Sequence, residues 1–232
     1  MNEQHFEHLV FDLDDTLLDT YRLLVPKASR DACSMMIIAG LKTSLEDCLA
    51  AWQEHVQRFP RREVFSYLVG HFGVRTESDP ASVEKRGYRA FYNRKVETDI
   101  ALFPGAREML AELKNRYALH LVTSGSRPTQ EEKIRILEIS DFFKTISHVD
   151  PTQNQRKQDA FNEIVKLAPA PPERFLSIGN RIDTDISEAR ALGWKTAWVK
   201  YGEHATMLPK TELEKPDFII ENILELPQAC QL

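Results

Sequence analysis

Apolar residues follow two rhythms along this chain. The short run His8-Leu9-Val10-Phe11, bounded by polar residues, reads as a buried strand of a parallel sheet. From Tyr21 to about Asn93 the spacing becomes helical, with many charges and little β-branched alternation. Leu45, Leu49, Trp52 and Val56 recur at helical intervals, as do Val64, Phe65, Leu68 and Val69. His71-Phe72-Gly73-Val74 closes one of these helices, and Ser78-Asp79-Pro80 forms a loop before the next.

Beyond Phe103-Pro104-Gly105, strands and helices alternate. A helix over 106–115 leads into Leu119-His120-Leu121-Val122, and one over 128–137 leads to Thr145–Val149. A helix over 158–167 precedes the strand 174–178, and one over 185–192 precedes 195–199. Pro216–Ile220 adds a last short strand, and Ile223–Leu226 closes the chain. This alternation predicts right-handed βαβ units and an α/β fold with a doubly wound, Rossmann-like parallel sheet. The helical block is an insert of roughly 70 to 80 residues, small for a domain of its own, and it follows the first strand directly.

Composition narrows the function. The 232 residues are 42% hydrophobic and 28% charged, as expected of a folded soluble protein. A net charge of −5 and a pI near 5.8 give no reason to expect nucleic acid or an anionic membrane as a partner. Cys33, Cys48 and Cys230 are scattered, without metal-ligand spacing, and suit a reducing compartment. The opening MNEQHFEH lacks the features of a signal peptide, and the apolar stretch Met35–Ala39 is too short to cross a bilayer. A cytoplasmic location is the expectation. No Gly-x-x-x-x-Gly-Lys loop is present, which sets aside an ATP-cradling P-loop.

Chemistry concentrates behind the first strand, in Phe11-Asp12-Leu13-Asp14-Asp15-Thr16-Leu17-Leu18. Acids at the carboxyl end of a parallel strand stand where open α/β sheets place their ligands. A helix cap would explain one acid, Asp14 or Asp15, but three crowded carboxylates call for a compensating cation or substrate. A second candidate, Thr123-Ser124-Gly125-Ser126, follows an apolar strand. Amides and hydroxyls in such a turn can hold phosphate oxygens.

The run FDLDDTLLDT resembles the first motif of the haloacid dehalogenase-like (HAD) phosphohydrolases, a strand followed by Asp-x-Asp-x-Thr. The resemblance implies Asp12 as nucleophile, Asp14 as general acid/base and Thr16 as a loop-stabilising residue on the phosphate side. Leu121–Ser126 resembles the second motif, which sets Thr123 on the phosphoryl group with Ser124 and Gly125 beside it. Lys157 resembles the third-motif lysine, although Gln158 stands where proline is common and Lys133 is a weaker competitor. Phe175–Ile186 resembles the fourth motif, an apolar strand, then Gly-Asp, four residues and a second Asp. Here Asn180 takes the first acidic position and Asp185 the second. By resemblance, Mg2+ is the cofactor and Asp12, Asp14, Asn180 and Asp185 are its ligands. A neutral amide in place of a carboxylate weakens that site. Asp185 also reads as an N-cap of the following helix.

The same likeness implies an α/β core over 1–19 and 97–232 and a helical cap over 20–96. Arg22, Tyr88, Arg89, Tyr92, Arg94 and Lys95 each read as part of a solvated face, and together as a lining for an anionic leaving group. Gly193 reads as a helix C-cap, and Trp194 and Trp198 as packing residues. The expected activity is a Mg2+-dependent phosphatase acting on a small phosphorylated metabolite, in a monomer or homodimer. Asp14 argues against a carbon-attacking dehalogenase, and no cap lysine stands out for a phosphonatase. A phosphomutase keeps the same residues. Asn180 motivates the other alternative, a catalytically weakened binding or regulatory protein on the same scaffold.

Overall fold

In the computed structural model the described residues are 6–59, 61–93, 96 and 100–232; Arg94 and Lys95 lie outside them. Six strands form one parallel sheet: β1 (His8–Phe11), β2 (Ala118–Ser124), β3 (Thr145–Val149), β4 (Phe175–Gly179), β5 (Lys195–Val199) and β6 (Phe218–Ile220). Their order is β3-β2-β1-β4-β5-β6. The order reverses between β1 and β4, which makes the carboxyl edge of β1 the switch point where such sheets bind ligands.

Ten helices accompany the sheet among the described residues: α1 (Thr20–Leu23), α2 (Val25–Ile38), α3 (Leu45–Val56), α4 (Val64–Phe72), α5 (Pro80–Tyr92), α6 (Ala106–Leu113), α7 (Arg127–Leu137), α8 (Lys157–Leu167), α9 (Ser187–Arg190) and α10 (Leu226–Ala229). The helix expected over 185–192 starts later. Residues Ile182–Ile186 form a wider π-type turn, and only Ser187–Arg190 is α-helical. Such turns cluster at functional sites.

The chain divides into two compact units, Met1–Arg22 with Val96–Leu232, and Leu23–Lys95. The helical unit packs Cys33, Met36, Trp52, Phe65, Leu68 and Phe91 into its own core. Ser44 caps α3 by accepting from the Asp47 amide, and Asp79 caps α5 by accepting from Ser82, with Pro80 in the first turn. α2 and α5 meet at Gly87, where a Cβ would stand 2.5 Å from Met36 Sδ. Within this unit Tyr88 and Tyr92 pack around Phe65, while Arg89 borders an open hollow with Met35 and Arg86. Arg22 falls in the sheet unit, exposed, with its guanidinium 5.6 Å from the Tyr201 ring centroid.

In the sheet unit, Phe175 and Trp194 stack at 4.6 Å and Phe161 packs beside them, so Trp194 is a core residue. Gly193 takes φ +79 in the turn after α9, the left-handed conformation expected of a C-cap glycine. No helix among the described residues is long and apolar enough to cross a membrane.

Candidate active site

The register of β1 fixes what can meet at its end. Phe11 pairs with Leu121 of β2 and with Ile178 of β4, and the Asp12 amide donates to the Ile178 carbonyl at 2.9 Å. Asp12, Thr123 and Asn180 therefore stand along one carboxyl edge of three adjacent strands. The chain then turns tightly around the Leu13 carbonyl, which accepts from the amides of Thr16, Leu17 and Leu18. Leu13, Leu17 and Leu18 are fully buried and anchor the loop from below. Phe103 N donates to Leu17 O at 2.9 Å, tying the loop to the returning chain.

The three acids of this loop go to three different partners. Asp12 Oδ1 accepts from Lys157 Nζ at 2.6 Å, and Asp12 Oδ2 has a long contact with Thr16 Oγ1 at 3.4 Å. Asp14 accepts from Lys133 Nζ at 2.6 Å, from Gln130 Nε2 at 2.9 Å and from the Thr20 hydroxyl. Asp15, at φ +57, turns its carboxylate onto the Tyr21 amide at 2.7 Å and organises the loop. Much of the compensation that crowded carboxylates demand is thus internal, from two buried lysines.

Lys157 opens α8. The Asp159 carboxylate reaches back to the Arg156 amide at 3.0 Å, and Glu188 accepts from the Gln158 amide at 2.6 Å, a bond proline could not make at this position. The Lys157 ammonium, 4% exposed, bridges Asp12 and Asp185, at 2.5 Å from the latter. Asp185 is not an N-cap of α9; its Oδ2 turns back onto the Arg181 amide at 3.0 Å. Gly179 makes room for it, since a Cβ there would fall 2.2 Å from Asp185 Oδ2. Asn180 is buried, and Trp198 Nε1 donates to its backbone carbonyl at 2.9 Å.

The electrostatics separate the two catalytic candidates. Burial pushes the Asp12 carboxyl up to about 7 against the pull of Lys157, and the charges of Asp185 and Asp14 push the same way. Burial would also raise Asp14, but Lys133 and the hydrogen bonds from Lys133, Thr20 and Gln130 outweigh it and hold the group below its usual value. Burial alone would lower Lys157, yet Asp12 and Asp185 together raise it.

On the β2 side, the Thr123 hydroxyl is buried and has no hydrogen-bond partner among the described residues. Such an orphan suits a ligand oxygen. The Gly125 amide, at φ +140, donates to Val149 O at 2.9 Å, and the Ser124 carbonyl accepts from Gln130 at 2.8 Å. The Gly125 amide expected to cradle phosphate is therefore engaged within the sheet, whereas the Thr123 hydroxyl is open to a ligand.

The donor set fits Mg2+. Asp12 and Asp185 share one ammonium, so the trio carries one net negative charge when both acids are ionised, and Asn180, directly after β4, is a buried amide residue at the same sheet edge. Among the described residues no three His, Cys, Asp or Glu side chains gather into a ready cage. Two carboxylates and an amide form the partial oxygen set that Mg2+ takes when waters and substrate oxygens complete its shell. Asp14 has its own partners, its carboxylate oxygens holding Lys133, Gln130 and Thr20, as those of Asp185 hold Lys157 and the Arg181 amide.

The family model for haloacid dehalogenase-like hydrolases matches residues 9–199, from the first strand through β5. The chain belongs to this family. A glyceraldehyde 3-phosphate phosphatase of Pyrococcus furiosus is 33% identical, over 97% of this chain and 91% of its own length. The N-acylneuraminate-9-phosphatase of Rattus norvegicus is 26% identical over 95% of this chain and 92% of its own length. The crystal structure of the Bacillus subtilis HAD-hydrolase YfnB, described as bound to magnesium, shares the fold at a TM-score of 0.69 and 24% identity. That match covers 98% of this chain and all of YfnB (100%).

Two residues of this family member escaped the motif reading, Gln130 and the full weight of Lys133. The signal was present on α7, where Gln130, Lys133, Ile134 and Leu137 fall on one buried stripe. Two polar residues on an apolar helix face need an internal partner.

Proposed function

We propose that this protein is a Mg2+-dependent phosphatase of a small phosphomonoester, working through an aspartyl phosphate on Asp12. The observation that carries the reading is the Lys157 ammonium held between Asp12 and Asp185 at the switch point of the sheet. The named phosphatases among its relatives point the same way.

In the first step an Asp12 oxygen bonds to phosphorus as the bond to the substrate oxygen breaks, and that oxygen takes a proton from Asp14. In the second, Asp14 takes a proton from water, whose oxygen bonds to phosphorus and breaks the bond to Asp12, releasing inorganic phosphate. Asp14 as found, paired with Lys133, is set for this second, basic role. Lys157 and the Thr123 hydroxyl offset charge on the phosphoryl oxygens, where positioning and electrostatics supply most of the catalysis. Asp12, Asp185 and Asn180 would hold Mg2+, which when bound adds positive charge at the phosphoryl group and favours ionised Asp12.

Phosphate release from a panel of phosphomonoesters with excess Mg2+, glyceraldehyde 3-phosphate among them, tests the reading. Turnover by the native chain and none by Asp12→Asn is expected. Equal rates in both would remove Asp12 as nucleophile. No turnover in either, at any Mg2+ concentration, would favour a binding protein in which Asn180 has cost the site its chemistry.

A further inference from the structure

Resting on that reading, we propose that Lys133 and Gln130 are positioning residues that fix the Asp14 carboxylate in the orientation its proton transfers require. The two side chains stand one turn apart on α7 and are 6% and 3% exposed. Burying an ammonium and an amide on a helix's apolar stripe is unfavourable unless both are bonded. The Lys133 ammonium and the Gln130 nitrogen are bonded to the same group, while Gln130 Oε1 is buried without a hydrogen-bond partner among the described residues. Lys133 Nζ meets Asp14 Oδ1 at 2.6 Å, and Gln130 Nε2 meets Oδ2 at 2.9 Å, so each carboxylate oxygen is held by a separate donor. Two donors on two oxygens fix the plane of the group as well as its place.

The amide is itself anchored. Gln130 Nε2 also donates to the Ser124 carbonyl at 2.8 Å, which ties Asp14 to the end of β2 beside Thr123. A Cβ on Gly125 would lie 2.7 Å from that same nitrogen, so the glycine is what admits Gln130. Asp14 sits on a loop with a partly exposed side chain, and without these donors only the Thr20 hydroxyl, on the Oδ1 side, would restrain it by hydrogen bonding among the described residues. Nothing in this arrangement overlaps the Lys157–Asp12–Asp185 set. Each catalytic carboxylate has its own lysine.

A group that acts through Asp14 leaves a signature tied to the leaving group. p-Nitrophenolate departs without a proton, whereas an alkoxide needs one. Single-turnover release of the leaving group is to be measured with Mg2+ for p-nitrophenyl phosphate and for glycerol phosphate. The proteins are the native chain, Lys133→Met, Lys133→Arg, Gln130→Met, Asp14→Asn and Lys133→Met/Asp14→Asn. For Lys133→Met, alkyl ester cleavage should fall on the order of a hundredfold and nitrophenolate release by less than about threefold. Half-saturating substrate should change little, Lys133→Arg should recover most of the loss, and the double variant should be no slower than Asp14→Asn. Gln130→Met should repeat the pattern more weakly, and it carries the test if Lys133→Met does not fold. Equal loss on both esters, or a double variant slower than Asp14→Asn by the full Lys133→Met factor, would overturn the proposal while leaving Asp14 in its role. Full alkyl ester cleavage by Asp14→Asn would overturn the acid/base reading beneath it.

Discussion

Lys157 is the residue on which most of the site's electrostatics rest. It neutralises two buried carboxylates at 2.6 and 2.5 Å, and its removal would leave both without the cation they directly contact. Lys157→Met should cost about 3–5 kcal/mol of stability in the metal-free protein, the range seen when one partner of a buried pair is removed. Chemical denaturation at neutral pH would measure it. The same variant should lose on the order of 10²–10³ in kcat, as expected for one donor aimed at developing charge. A loss confined to stability, with normal kcat, would place Lys157 outside the chemistry. Asn180 makes the opposite experiment possible. Asn180→Asp adds a carboxylate at the sheet edge that carries Asp12 and, if it faces the metal, should tighten Mg2+ binding on the order of tenfold in a calorimetric titration. Unchanged affinity would mean that this side chain does not face the metal.

At the scale of elements, the ends of strands and the starts of helices do the placing. β4 ends at Gly179, and the turn Ile182–Ile186 brings Asp185 back over it. A methyl group at 179 would fall 2.2–2.5 Å from the Asp185 side chain, too close for any real contact. Gly179→Ala should therefore displace Asp185, with a kcat loss of more than about tenfold and weakened Mg2+ binding. Normal kinetics in that variant would show that the turn can shift without consequence. Hydrophobic rhythm was enough to locate all six strands, within one residue for β1, β3, β4 and β5 and within two for β2 and β6, because turn residues bound each β-branched or apolar stretch. The π-type turn was not legible, since Asp183 and Asp185 look the same in sequence whether they cap an α-helix or line a wider turn. Nor was the pairing of Lys133 with Asp14. These residues lie 119 positions apart, and only the packing of α7 against the sheet joins them.

For the molecule as a whole, burying catalytic acids at the sheet edge links folding to pH. Asp12 ordinarily titrates near 3.8 and is raised to about 7 by burial, so the folded state holds its proton more tightly than the unfolded chain does. The unfolded state then binds fewer protons between about pH 4 and pH 7, and this group's contribution to stability falls as pH rises through that window. His120, lowered to about 4, and the lowered His8, His55 and His148 act with the opposite sign in much of that range. The difference between the native chain and Asp12→Asn isolates the acid. Asp12→Asn should gain stability relative to the native chain as pH rises from 5 to 7.5 without metal, and added Mg2+ should stabilise the native chain more. A flat difference would mean that Lys157 fully compensates Asp12. The central claim, that Asp12 carries the phosphoryl group, is tested most directly by acid-quenching a single turnover and mapping the product by mass spectrometry. One phosphoryl group on Asp12, absent from Asp12→Asn and more abundant when Asp14→Asn slows its hydrolysis, is the predicted result. Turnover with an unmodified Asp12 peptide at every quench time, even in the Asp14→Asn variant, would contradict it.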